Sequence, residues 1–294
     1  MFSSIVPYLL AGISVGGQYA LIAIGYTMVY GILRLINFAH GDIFTAAGFF
    51  MVYLAASGAL PLWATVLLVI LLTMILGFAV ERAAYKPLRS APRMSVMISA
   101  IGVSYLLQNL MWYVTGGLAK QYPVIEWLAI PVQIFGASTK LVTIVTPFLT
   151  ILLVAALVLL INHTKIGMAM RAVSKDFETS QLMGIKINNV ISATFIIGSA
   201  LAAVGSMLYF TNYSTVTPVV GAMPGLKAFV AAVFGGIGSI PGAVIGAFII
   251  GICENLIKAT GLTAFSDAFT FALLIVVLIF RPTGLFGEKI AEKV

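Results

Sequence analysis

Six long stretches of this chain contain no Asp, Glu, Lys or Arg, and they constrain the fold more than any other feature. The stretches are 1–33, 43–80, 94–119, 141–164, 187–226 and 228–253. A helix needs about 20 mostly apolar residues to cross the hydrocarbon core of a bilayer, and each stretch is longer than that. Charged residues make up only 9% of the chain, where about 25% is usual for a soluble protein. We therefore predict an all-α integral membrane protein, with residues 1–294 forming one transmembrane domain.

Breaks at Pro, Gly and charged residues divide the chain into about 8 transmembrane segments, a polytopic helical bundle. The predicted segments cover 5–33, 43–57, 62–85, 94–115, 141–162, 190–213, 226–252 and 264–280. The stretch 226–252 is irregular, because it contains Gly235-Gly236-Ile237-Gly238-Ser239-Ile240-Pro241-Gly242. Irregular backbone at membrane depth is tolerated only where it is buried in protein or lines a wet cavity. We expect a broken or re-entrant segment there, and two pieces would leave the C-terminus inside whereas a single crossing would leave it outside.

Basic residues cluster in two of the predicted loops, and they orient the bundle. The clusters are Arg82, Lys86, Arg89 and Arg93, and then Lys165, Arg171, Lys175 and Lys186. Loops on the cytoplasmic side carry an excess of Lys and Arg, so both loops are predicted to be cytoplasmic. The segment 116–140 holds only two lysines, Lys120 and Lys140, and is predicted to lie outside.

Polar residues inside apolar segments are the candidates for a solute pathway or gate. Asn37-Phe38-Ala39-His40-Gly41-Asp42 interrupts an apolar region, and polar groups there are costly unless they are satisfied. Three interpretations are open: a gate or cavity lining, a proton relay through His40 and Asp42, or an interfacial turn capped by Asn37 or Asp42. Amides inside two other segments either bond between helices or line the pathway. The pathway candidates are Gln18, Asn37, His40, Asp42, Gln108 and Asn109.

Several chemistries are excluded or left without a candidate. Cys253 is the only cysteine, so neither an internal disulfide nor a cysteine zinc site is possible. The basic residues punctuate apolar stretches instead of forming one face, which argues against nucleic-acid binding. No G-x-x-x-x-G-K-[S/T] sequence occurs, so the chain cannot hydrolyse ATP alone. We expect no enzyme activity, no catalytic residue, no metal site and no cofactor bound by this chain.

The predicted cytoplasmic segment 163–189 has the pattern of two short amphipathic helices. Ile166, Met170, Val173 and Phe177 recur at steps of three and four residues, with charged residues between them. The stretch ends at Met183-Gly184-Ile185, where the glycine is typical of a helix C-terminus. Such an apolar face can lie on a membrane surface or dock into a groove of a partner protein.

Blocks of sequence throughout the chain resemble one known family, the shorter permease subunit of bacterial ABC importers for branched-chain amino acids. The blocks are Tyr30-Gly31 with Asn37-Phe38-Ala39-His40-Gly41-Asp42, Glu81-Arg82 with Lys86-Pro87-Leu88-Arg89, Thr164 to Ala172, Met183-Gly184-Ile185, Lys227-Ala228-Phe229, Gly235 to Ala243, and Arg281-Pro282-Thr283-Gly284-Leu285-Phe286-Gly287. The resemblance implies a multi-pass protein of the bacterial inner membrane that forms half of a pathway working by alternating access.

The resemblance also implies the partners. They are a second homologous permease, two ATP-binding cassette ATPases that use ATP and Mg, a periplasmic amino-acid-binding protein, and membrane lipid. Segment 163–189 matches the family's cytoplasmic coupling segment, which sits in a cleft of the ATPase. The ATPase-coupling candidates are Arg171, Ser174, Asp176, Glu178 and Gly184.

Other functions stay open on the sequence. Related permeases with similar blocks serve urea or amides. A proton-coupled secondary transporter would need a buried carboxylate or histidine at mid-membrane, whereas Asp42, Glu81, Glu254 and Asp267 all lie near predicted segment ends. A passive channel is the third alternative, and solute flux through this chain alone would support it.

Overall fold

A computed structural model describes residues 2–89, 91–134 and 136–287 of the protein, and almost all secondary structure in them is helical. The helices are α1 (Phe2–Leu33), α2 (His40–Ala56), α3 (Leu62–Val80), α4 (Arg93–Thr115), α5 (Glu126–Ala129), α6 (Leu141–His163), α7 (Lys165–Lys175), α8 (Phe177–Leu182), α9 (Ile187–Tyr213), α10 (Ala222–Gly235), α11 (Ile240–Ala259) and α12 (Ser266–Phe280). A π-helical turn, Glu81–Tyr85, extends α3, and a 3-10 turn, Thr263–Phe265, precedes α12.

Seven helical segments of the described chain are long and apolar enough to cross a membrane, and two apolar helices are shorter. The short ones are α2, with 17 residues, and α10, with 14. At 1.5 Å per residue they span about 26 Å and about 21 Å, less than the roughly 30 Å of a hydrocarbon core. The predicted polytopic helical bundle is confirmed, with two incomplete crossings among its segments.

The segment 116–140 contains short strands that the sequence did not predict. Strand β2 (Pro131–Ile134) pairs antiparallel with β3 (Ala137–Lys140). Strand β1 (Lys120–Gln121) pairs antiparallel with β4 (Thr215–Val216), which follows α9. The β1–β4 pair holds the segment against the C-terminal end of α9, where Lys140 Nζ also bonds the carbonyl of Asn212 at 3.0 Å.

Helices α1 and α9 form the centre of the bundle. In α9, 72% of the most apolar stretch of 18 residues is buried inside the protein. The corresponding share for 263–280, which contains α12, is 11%. Helix α1 packs against α6, α9, α10 and α11. Small residues allow this close packing, since Gly12 and Gly16 of α1 lie directly against the backbone of α11. Lipid or a partner protein therefore faces the outer helices, while α1 and α9 are enclosed.

The two basic loops lie at one end of the bundle, called the basic end below. Arg89 bonds Asn188 at the start of α9, and Ser192 of α9 donates to Glu81 at 2.9 Å. The C-terminal segment reaches the same end, because Leu285 N bonds the carbonyl of Phe234 at 3.0 Å. The side chain of Arg93 and the balanced charges of 288–294 lie outside the described residues.

The predicted irregularity near 226–252 is a break between two helices. Helix α10 ends at Gly235 and α11 begins at Ile240, and the turn places Gly236 and Gly238 at φ values of 108° and 100°. Those values suit glycine, which lacks the Cβ that would clash there. A Cβ on Gly235 would lie 1.9 Å from the carbonyl oxygen of Gly242, so the two helices touch backbone to backbone. The break is confirmed, and the two pieces form a helical hairpin.

Candidate functional site

The polar hexapeptide carries the chain back into the bundle. Helix α1 ends at Leu33, Arg34 adopts a left-handed conformation with φ 55°, and α2 begins at His40. The His40 ring lies against Gly25 of α1, where an added Cβ would come within 2.1 Å of Nε2. Because Gly25 lies eight residues before the end of α1, α2 begins about 12 Å inside that end. The start of α2 is therefore enclosed by protein instead of lying at the edge of the apolar region.

Helices α2 and α10 meet at their N-termini. Gly221, which precedes α10, donates its N–H to Thr45 Oγ1 of α2 at 2.9 Å. A Cβ on Gly221 would lie 2.1 Å from the carbonyl oxygen of Gly41. Both helices thus direct the positive ends of their dipoles into the interior. Short helices that begin inside the bundle and meet in this way are typical of solute sites in transporters.

A cavity of about 370 Å³ lies beside this junction. That size is within the range of about 300–1,000 Å³ that is common for ligand pockets. Its walls come from α1, the hexapeptide, α2, α4 and α10, and they combine apolar side chains with a few polar groups. The lining residues are Tyr26, Phe38, Gly41, Asp42, Ile101, Ser104, Tyr105, Gln108, Ala222, Leu226 and Phe229.

Asp42 is the charged group of the cavity wall, and its residue is only 2% exposed. Its carboxylate accepts a hydrogen bond from Gln108 Nε2 at 2.9 Å and another from Ser104 Oγ, both on α4. The interpretation of Asp42 or Asn37 as a helix cap is wrong, because Ala39 is the N-cap and no side chain caps α2. Among the described residues, no basic side chain forms an ion pair with Asp42.

Asn37 and His40 are buried, but they do not join Asp42. The Asn37 Oδ1 atom accepts a hydrogen bond from Tyr85 at 2.9 Å. The His40 ring packs edge-on against Tyr26, with 5.1 Å between ring centres. Residues two apart on a helix do not face each other, and the described contacts include none between His40 and Asp42. A direct proton relay between these two side chains is therefore not formed in this conformation.

Gln18 and Asn109 lie apart from the cavity. Gln18 is fully buried in α1, and its amide makes no hydrogen bond to another helix in the described part of the chain. The expectation that it bonds between helices is therefore wrong. Asn109 is exposed and donates to the carbonyl of Tyr105 on its own helix at 2.8 Å. Of the six pathway candidates, only Asp42 and Gln108 line the same cavity.

The segment 163–189 forms the two short helices that its pattern predicts, α7 and α8. Thr164 caps α7 by accepting from Gly167 N at 3.1 Å, and Asp176 caps α8 by accepting from Thr179 N at 3.0 Å. Gly184 ends the second helix with φ 84°. Its N–H bonds the carbonyl of Gln181, and Ile185 N bonds that of Ser180, the pattern of a Schellman motif.

The coupling candidates lie on the accessible side of this segment or at its edge. Arg171 is exposed and donates to the carbonyl of Asn162 at the end of α6, at 3.3 Å. Ser174 donates back to the carbonyl of Arg171 at 2.9 Å. Glu178 is exposed in the first turn of α8, and Asp176 and Gly184 are exposed as well. Their role toward an ATPase stays a prediction.

Only half of the predicted apolar face of the segment, Ile166 and Phe177, is exposed. Met170 and Val173 are 4% and 2% exposed because they pack against this chain's own bundle. They are therefore available to neither a membrane surface nor a partner. The most accessible apolar side chains are Leu182 and Met183, which are 87% and 79% exposed at the end of α8. Three others are exposed to a smaller extent: Met168 at 60%, and Ile166 and Phe177 at 40% each. Helical periodicity missed Leu182 and Met183, because they lie where the second helix stops.

A buried ion network joins α10, α11 and α12, and no pattern in the sequence predicted it. Glu254 is 2% exposed and bonds Lys227 at 2.8 Å, Lys258 at 2.7 Å and the Tyr19 hydroxyl at 3.0 Å. Lys227 also pairs with Asp267 at 2.6 Å. Glu254 lies near a segment end as expected, but it is enclosed and paired.

Two short helices that meet at their N-termini inside a helical bundle, beside a part-polar cavity, are typical of a membrane permease. Comparison with known proteins gives the family. A profile described as "Branched-chain amino acid transport system / permease component" matches residues 8–278, and the chain belongs to that family.

Named relatives agree with this assignment. The chain is 41% identical to the high-affinity branched-chain amino acid transport system permease protein LivH of Escherichia coli (strain K12), covering 96% of both chains. It is 41% identical to the corresponding permease protein BraD of Pseudomonas aeruginosa, covering 97% of both. A probable branched-chain amino acid transport permease of Methanocaldococcus jannaschii is 27% identical over 91% of this chain and 88% of its own. These relatives are named as transport permeases and not as enzymes.

Proposed function

We propose that this chain is the permease subunit of an ATP-driven importer for branched-chain amino acids in the bacterial inner membrane. It forms half of a pathway that works by alternating access. The observation that carries the proposal is the cavity between α2, α4 and α10, which combines a carboxylate with the apolar side chains of Ile101, Leu226 and Phe229. An amino acid with an aliphatic side chain needs both kinds of wall. The 41% identity to permeases named for these solutes supports the same conclusion.

A second permease completes the pathway in this proposal. The cavity opens beside α4, where Ile101 and Tyr105 are 42% and 62% exposed. A homologous permease packed on this face would close the cavity and supply the other wall. A periplasmic binding protein would deliver the amino acid, so the cavity need bind it only weakly.

Two ATPases drive the cycle from the basic end. The segment 163–189 is the proposed contact, with the exposed Leu182 and Met183 as apolar anchors beside Glu178. Apolar side chains at the centre of a contact and charges around it are usual for protein interfaces. ATP and Mg would be bound by the ATPases, and their closure would move α7 and α8 relative to the bundle.

Reconstitution of the importer tests the function. Proteoliposomes would hold this chain, its partner permease and the ATPases, with binding protein on one side and ATP on the other. We expect ATP-dependent accumulation of leucine, isoleucine and valine. Accumulation of urea or an amide instead would reassign the solute. Flux that continues without ATP and collapses with an uncoupler would favour a proton-coupled transporter.

Paired substitutions test the ATPase contact. Changing Leu182 and Met183 together to Ser should abolish uptake and the ATPase activity that the binding protein stimulates. Changing Arg171 and Glu178 together should lower uptake and the stimulated ATPase activity without abolishing them. The control is Leu60→Ser, because Leu60 is a leucine in the loop between α2 and α3 that is 42% exposed. If both double variants transport as well as the control, the contact assignment is wrong.

A further inference from the structure

The carboxylate of Asp42 lies in the cavity wall without a cation of its own. Both hydrogen-bond donors that reach it, Ser104 and Gln108, are neutral. Each carboxylate oxygen accepts one of these bonds, which suits the ionised form. The other buried carboxylates of the described chain, Glu81 and Glu254, each pair with a basic side chain. Asp42 is therefore the one enclosed acid in this part of the protein whose charge is left for a ligand.

We propose that Asp42 is the binding group for the ammonium of the transported solute, held in place by Ser104 and Gln108. A buried charge is strongly disfavoured unless it is paired and hydrogen-bonded. The two neutral donors position the carboxylate, and a primary ammonium in the cavity would supply the missing charge. The ligand class is thus a small primary amine with an apolar body, and an α-amino acid meets this description.

The apolar part of the wall fits the rest of such a ligand. Ile101 of α4 and Leu226 and Phe229 of α10 line the same cavity as Asp42. They provide apolar contact and no hydrogen-bond partner for a hydrophilic side chain. Discrimination at this site is therefore expected to depend on the ammonium, while the aliphatic body is selected only by size. This inference rests on the proposed function, because it names the recognition group of the proposed pathway.

Competition between two ligands of similar shape tests the ammonium site directly. The assembled permease–ATPase complex in nanodiscs, without binding protein, would be titrated with tritiated L-leucine. Unlabelled L-leucine and L-2-hydroxy-4-methylpentanoate, which has a hydroxyl in place of the ammonium, would compete for binding. In the wild type the hydroxy acid should compete at least about tenfold less well, as expected for loss of a charged hydrogen bond.

The preference between the ligands, and not the affinity alone, decides the outcome. Asp42→Asn should weaken the binding of leucine at least about tenfold. It should also bring the ratio of the affinities for leucine and the hydroxy acid close to one, as expected if the carboxylate supplies the charged partner. Asp267→Asn, the matched control, removes a carboxylate that pairs with Lys227 outside the cavity lining, and it should keep the wild-type preference. If Asp42→Asn binds neither ligand, Asp42→Glu should restore the preference for leucine, because it keeps the charge.

Three results would overturn the ammonium site: an unchanged preference in Asp42→Asn, equal binding of both ligands by the wild type, or no leucine binding by the wild type. If Asp42→Asn binds neither ligand and Asp42→Glu does not restore the preference for leucine, the ammonium site is also overturned. These results decide only the role of Asp42 in binding, and the import assay decides the proposed function separately. Absence of any branched-chain amino acid import by the wild-type complex would overturn the function instead.

Discussion

The Tyr85 hydroxyl donates a hydrogen bond to Asn37 Oδ1 at 2.9 Å, and so ties the basic end of α3 to the hexapeptide that leads into the cavity. Tyr85 closes the π-helical turn that begins at Glu81. Glu81 in turn bonds Arg89 and Ser192, next to the start of α9 where the segment 163–189 ends. Single π-helical turns are often found at functional sites. These contacts form a continuous connection between the proposed ATPase contact and the cavity.

Tyr85→Phe tests this connection. The ring keeps its packing against Phe195, but Asn37 loses its hydrogen-bond donor in the interior. Leaving a buried polar group unsatisfied costs about 1–3 kcal/mol, so the thermal unfolding midpoint in detergent should fall. We expect uptake to fall more than basal ATPase activity. Tyr113→Phe on the exposed face of α4 is the control, since Tyr113 is 87% exposed. Equal uptake by the two variants would contradict the connection.

Arg89 and Arg82 should differ sharply in their contribution to stability. Arg89 is the close partner of Glu81, which is 0% exposed, whereas Arg82 lies 3.9 Å from it with a side chain 43% exposed. Breaking a buried pair costs roughly 3–5 kcal/mol, and an exposed pair contributes below about 1 kcal/mol. Arg89→Gln should therefore lower the unfolding midpoint strongly and Arg82→Gln slightly. Similar midpoints for both variants would show that Glu81 does not depend on Arg89.

Gly25→Ala should displace His40 and with it the start of α2. The added Cβ would lie 2.1 Å from His40 Nε2, so one of the two helices must shift. Overpacking of this kind costs about 1–3 kcal/mol. Gly102→Ala on α4 is the matched control, because nothing lies within 4 Å of the position of its Cβ. Unfolding midpoints compare the two, and His40→Ala in the Gly25→Ala background should recover part of the loss.

Lys227 should matter more than Lys258 in the buried ion network. The Lys227 side chain is 8% exposed and joins Glu254 to Asp267, while the Lys258 side chain is 27% exposed and pairs with Glu254 one turn along α11. Lys227→Met leaves Glu254 with only its more exposed partner, so it should cost roughly 3 kcal/mol. Lys258→Met removes a partly exposed pair and should cost below about 1 kcal/mol. Chemical unfolding of each variant in detergent checks the order, and a reversed order would contradict the assigned roles.

The sequence predicted the membrane class, the break in 226–252 and the two short helices of 163–189, because each depends on local features. Charge-free length decides whether a segment can cross a bilayer. Glycines at Gly236 and Gly238 mark a turn, and Gly184 marks a helix end. The resemblance added the family, which the profile match over 8–278 confirms. The sequence left open at which end of the bundle the C-terminal segment lies, and only the contact of Leu285 with Phe234 placed it at the basic end.

The sequence alone determined that the protein lies in a bilayer and in which order its helices follow one another. Hydrophobic length and charge position decide both, and they are properties of each segment by itself. What only the tertiary structure decided is which polar groups meet. It brought Asp42 together with Ser104 and Gln108, 62 and 66 residues away. It also separated Asp42 from His40, two residues away. Long-range packing of α2 against α4 and α10 sets those contacts, and no local pattern in the chain encodes them.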